Sequence, residues 1–73
     1  MKGEGVMQNN LKAAREQSGK TQAQVAKEVG IAEQQYQKYE YDERVPNART
    51  AIRIAQVLGT TVEKLWDGNP IEK

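Results

Sequence analysis

Seventy-three residues with a formal net charge of +1, no cysteine and no histidine leave room for one small domain and for no disulfide, thiolate site, zinc site or His-based triad. No apolar run approaches the ~20 residues that span a bilayer, and the opening MKGEGVMQNN lacks the apolar centre of a signal peptide. A soluble, cytoplasmic protein with no membrane partner is expected.

Residues 1–8 show no periodicity and read as a flexible N-terminal arm, followed by a folded domain over 9–67 and a polar tail over 68–73. A first helix opens at Asn9 or Asn10, both good caps. Its inner stripe is Leu11, Ala14, Arg15 and Ser18, and Gly19 stops it. Thr21, with Gln24 three residues on, gives the capping-box start of a second helix. Val25, Ala26 and Val29 face inward, and Gly30 ends that helix.

A third helix is expected over 33–41. Its cap position falls on Ala32, whose side chain accepts no hydrogen bond, a loss of ~1 kcal/mol. Glu33 in the first turn recovers part of this against the helix dipole. Tyr36 and Tyr39, three apart, share one face and anchor a core; with Tyr41 they could instead form a stacking platform for single strands. Tyr41 falls at the edge. The polar loop 42–46 ends in Val45-Pro46, which favours extended backbone. Asn47 caps a fourth helix with Ala51, Ile52, Ala55 and Leu58 inward, and Gly59 stops it. Thr60 or Thr61 caps a short fifth helix with Val62, Leu65 and Trp66 inward. The sum is an all-α protein, a compact five-helix bundle.

Gln22, Ala26, Gly30, Tyr36 and Tyr39 follow the spacing Q-x3-A-x3-G-x5-Y-x2-Y. A small Ala26 lets two helices approach closely, and Gly30 permits the positive φ of a tight turn. The second and third helices then make a helix-turn-helix. The face opposite the tyrosines carries Glu33, Gln34, Gln37 and Lys38, free to enter a DNA major groove.

From Leu11 to Trp66 the chain resembles the lambda-repressor-like helix-turn-helix domains of phage repressors, Cro proteins and Xre-type bacterial regulators. The resemblance rests on LKAAREQSGKTQAQVAKEVGI, YQKYE, PNARTAIRIAQVLG and TVEKLW. It implies double-stranded DNA as partner and a homodimer on a near-palindromic operator. It places Thr21 and Gln22 at phosphates, where a helix N-terminus also offers free N–H groups. The recognition positions fall on Ala32, Glu33, Gln34, Gln37 and Lys38, with further backbone contacts at Arg44, Asn47 and Arg49; Gln35 and Tyr41 are read beside them as further candidates for the DNA backbone. It pairs Arg15 with Glu40 as a structural ion pair. The chain departs from the family where Ala32 replaces a common small hydroxyl residue and Tyr36 a branched aliphatic one. It departs again where Tyr41-Asp42-Glu43 replaces Asn-Gly and basic residues.

Gln34 suits a bidentate pair with adenine, and Lys38 suits phosphate or guanine. Glu33 compensates the helix dipole or accepts from cytosine N4. Trp66 closes the core, or with Leu65 and Ile71 forms a dimer patch. No nucleophile–base pair, phosphate-cradling glycine loop or metal cluster is visible, so neither an enzyme nor a cofactor is expected. A sequence-specific DNA-binding regulator is the leading expectation. The near-neutral charge and the acidic Asp42-Glu43 keep a protein-interaction module on the same fold, antitoxin-like or an anti-repressor partner, as the alternative.

Overall fold

The computed structural model of the chain describes residues 9–66. Among them the backbone forms five helices and no strand: α1 Leu11–Gln17, α2 Gln22–Val29, α3 Glu33–Glu40, α4 Ala48–Leu58 and α5 Val62–Leu65. The expected arm 1–8 and tail 68–73, Ile71 included, lie outside the described residues.

Local chemistry sets most of the helix ends. At α2 the Thr21 hydroxyl accepts from the Gln24 N–H at 3.1 Å, and the Gln24 side chain accepts from the Thr21 N–H at 2.8 Å. Two orphan donors are thus satisfied reciprocally. Gly30 then turns the chain at φ 94°, a conformation closed to most side chains. Asn47 caps α4 by accepting from the Thr50 N–H at 2.9 Å, and Thr61 caps α5 through the Lys64 N–H at 3.2 Å. Asn10 precedes α1 without a side-chain cap. Its neighbour Asn9 accepts from the Leu11 N–H at 2.9 Å instead.

α3 begins at a bare Ala32 in extended backbone. It ends one residue earlier than expected, at Glu40, and the chain turns away through Asp42 at φ 64°. The Asp42 N–H returns to Tyr39 O at 3.1 Å and the Glu43 N–H to Lys38 O at 2.8 Å. This pair of returns normally has glycine at the left-handed position. An aspartate holds it at a cost of about 1 kcal/mol.

The core gathers Leu11, Val25, Ala26, Val29, Tyr36, Tyr39, Ala51, Ile54, Ala55, Leu58, Leu65 and Trp66. α2 packs against both α3 and α4, α1 against α3, and α5 against α4. Ile52, expected in this core, is 50% exposed, and Ile54 fills the place. On a 3.6-residue period Ala51, Ile54, Ala55 and Leu58 are i, i+3, i+4 and i+7. Ile52 stands about 100° from Ala51 and points away. Ser18 is also exposed; its hydroxyl donates to Ala14 O at 3.0 Å and reaches Leu58 O at 3.4 Å.

Leu65 and Trp66, expected either in the core or at a dimer face, are 1% and 3% exposed. Their apolar surface is used within one copy of the chain and does not form an outward patch. The end of α5 is tied down by Asn10, whose N–H donates to Leu65 O at 2.8 Å and whose amide donates to Lys64 O at 2.7 Å.

Candidate nucleic-acid interface

The candidate surface on α3 is built from its buried end outward. Glu40, at the last turn of α3, has a side chain only 1% exposed. Arg15 on α1 meets it with Nε 2.7 Å from Oε2 and a second guanidinium nitrogen 3.4 Å from Oε1. Gln22 Nε2 donates to Oε1 at 2.9 Å, and the Tyr36 hydroxyl donates to Oε2 at 2.8 Å. Arg15 also donates to Lys20 O at 3.0 Å. One carboxylate therefore joins α1, α2 and α3, and its partner Arg15 adds the loop after α1.

Burial alone would push the Glu40 carboxyl up, but hydrogen bonds from Arg15, Gln22 and Tyr36 outweigh it and hold the group below its ordinary value. The Arg15 guanidinium is shifted up, chiefly by its hydrogen bond to Glu40. The Tyr36 hydroxyl is pushed far up by burial and by donating to Glu40, so it stays a donor. A buried charge is tolerable when paired and hydrogen-bonded in this way.

The outer face of α3 divides into two groups. Gln37 is half-buried; its Nε2 donates to Gln22 Oε1 at 3.2 Å and to Glu33 Oε2 at 3.3 Å. Gln35 donates to the Tyr39 hydroxyl at 2.8 Å. These side chains are already engaged. In contrast, among the described residues the side chains of Gln34, Lys38 and Arg44 carry no hydrogen bond or ion pair. With Ala32 and Gln35 they line one open cleft of about 350 Å³. Two cations and an amide thus stand exposed around one concavity.

The other expected backbone contacts sit at helix starts and in the loop. Thr21 uses its oxygen as the cap of α2 and keeps its hydroxyl hydrogen. Gln22 keeps one amide hydrogen beyond the bond to Glu40. Asn47 keeps its amide nitrogen, and Arg49 is exposed in the first turn of α4. Tyr41 is 60% exposed.

Two residues that hold this surface were not expected from sequence. The amide of Asn9 donates to Tyr39 O at 2.7 Å, and so supports the last turn of α3. Arg53 Nε donates to Val29 O at 3.1 Å, and so joins α4 to the end of α2 just before the turn. The bond of Arg53 spans 24 residues, so no signal within α2 or α4 marks it. Nothing local marks the first.

Residues 11–65 match the helix-turn-helix family. The chain is 36% identical over 64 residues to YqaE, an uncharacterized HTH-type transcriptional regulator of Bacillus subtilis; the match covers 88% of this chain and 55% of that protein. It is 36% identical over 59 residues to the cryptic phage CTXphi transcriptional repressor RstR of Vibrio cholerae, covering 81% of this chain and 53% of the relative. It thus spans about half the length of these curated relatives. Among solved structures, a SinR protein/SinI protein complex matches with a TM-score of 0.73 at 22% identity, over 80% of this chain and 57% of that one. At that identity the likeness is one of fold.

Proposed function

The chain belongs to the helix-turn-helix family, and from that premise we propose that it is a sequence-specific regulator of transcription, a small repressor that binds double-stranded DNA through α3. The observation that carries this reading is the set of unpaired side chains, Gln34, Lys38 and Arg44, around one cleft on the recognition helix. A buried network fixes the inner end of the same helix. Gln34 offers a donor and an acceptor to a base edge, and Lys38 offers a charge to guanine or phosphate. Thr21, the free hydrogen of Gln22, Arg44, Asn47 and Arg49 supply backbone contacts that set the register of α3. Two copies acting together on a near-palindrome would place half-sites about one helical turn apart, ~34 Å. A repressor of this kind acts by occluding a promoter.

A second reading, a protein-interaction module on this fold, is favoured by the acidic Asp42-Glu43 beside Arg44 and the net charge of only +1. Selection from random duplexes, followed by affinity at several salt concentrations, separates the two. A DNA regulator enriches a near-palindrome and loses affinity with salt in proportion to the phosphates contacted. No enriched sequence would favour the interaction module.

A further inference from the structure

A glutamine is an ambiguous reader, because a half-turn exchanges its amide donor for its carbonyl acceptor. At Gln37 that ambiguity is removed from beneath. The Glu40 carboxylate can only accept, so the end of Gln22 that meets it at 2.9 Å is the amide nitrogen. Gln22 Oε1 is thereby turned toward α3, where it accepts from Gln37 Nε2 at 3.2 Å. The same nitrogen donates to Glu33 Oε2 at 3.3 Å. An amide nitrogen carries two hydrogens, and both are spent. What Gln37 has left is its carbonyl oxygen. Beside it stands the Glu33 carboxylate, which accepts only.

We propose that Glu40, acting through Gln22, fixes the polarity of Gln37, so that Gln37 and Glu33 present acceptors only and select cytosine at one operator position per half-site. The inference rests on the DNA-binding reading above. In the major groove the exocyclic amino groups of cytosine and adenine are the only donors. Adenine also presents N7, which would face a second acceptor with no hydrogen between them. Guanine and thymine present acceptors alone. Cytosine therefore fits best. A free glutamine would favour adenine through a bidentate pair. Gln22 and Glu40 are positioning residues in this arrangement.

The test is selection from random duplexes with the parent, Gln37→Ala, Gln22→Leu and Gln37→Glu. The position at which Gln37→Ala loses its preference identifies the Gln37 contact. There the parent ranks cytosine first. Gln22→Leu releases one Gln37 hydrogen and moves the cytosine-to-adenine ratio toward adenine by about tenfold, within the range for one bidentate contact. A merely structural Gln22 would weaken binding without moving the ratio. Gln37→Glu is an acceptor by covalent structure; it binds every duplex more weakly and still ranks cytosine first. Adenine first in the parent, or an unchanged ratio in folded Gln22→Leu, overturns the inference while leaving the DNA-binding reading intact. If circular dichroism shows Gln22→Leu unfolded, the ranking by Gln37→Glu decides alone, and any base other than cytosine overturns it. A parent that enriches no duplex contradicts the DNA-binding reading and this inference with it.

Discussion

The two helices of the helix-turn-helix are built on opposite principles. α2 obeys both local rules for capping its ends: a reciprocal capping box at Thr21 and Gln24, and a glycine at its left-handed end. α3 obeys neither. It starts at Ala32 with no side-chain cap and leaves through Asp42 at φ 64°. What holds α3 is tertiary: Tyr36 and Tyr39 in the core, Glu40 in its four-donor network, and Asn9 on the last turn. A helix held from behind is free to choose its outward residues for what they contact. α3 carries Gln34 and Lys38 there without internal partners.

The tertiary hold on α3 is concentrated at Glu40. Glu40→Ala leaves the Arg15 charge and the Tyr36 hydroxyl without their partner. Removing one member of a buried pair typically costs about 3–5 kcal/mol, so chemical denaturation should show a loss near that size, carried mostly by the docking of α3. The same group sets an acid limb. Because the Glu40 carboxyl sits below its ordinary 4.5 in the folded chain, its stabilisation is complete above that value and is lost as pH falls through the folded value. Thermal unfolding followed from neutral pH down to about 3 should fall more steeply in the parent than in Glu40→Gln. Parallel slopes would remove Glu40 from the acid limb.

At the start of α2, Thr21→Ala deletes a working cap and should cost about 1 kcal/mol in the same denaturation assay. At the start of α3, Ala32→Ser supplies a cap where none exists and should add about 0.5–1 kcal/mol. The two starts should therefore respond with opposite signs. No gain from the serine would mean that tertiary contacts already hold the first turn of α3 as firmly as a cap would.

The contrast also explains what was legible in the sequence. Thr21-x-x-Gln24, Gly30, Asn47, Gly59 and Thr61 are local signals, and the helices they bound follow them closely. Arg15 and Glu40 were readable only through the resemblance, since 25 residues separate them. The tyrosine spacing placed Tyr36 and Tyr39 inward, where they are 0% and 5% exposed. Ile52 was misplaced although the period was legible: Ala51, Ala55 and Leu58, all expected inward, share a face with Ile54 and not with Ile52. Gln22 was read as a phosphate contact alone. Its bonds to Glu40 and Gln37 depend on how α2 and α3 cross, which no spacing within either helix encodes. Leu65 and Trp66 are buried because α5 packs against α4, a contact that apolar content alone does not announce.

If the unpaired side chains on the outer face of α3 read sequence, Gln34 is the place to look. Affinities of the parent and Gln34→Ala should be compared on the selected operator and on its single-base variants. Gln34→Ala should lose ~1–3 kcal/mol on the best operator and become indifferent at one or two positions per half-site, with preferences elsewhere intact. Equal weakening on every duplex, with all base preferences retained, would contradict it and assign Gln34 to positioning alone.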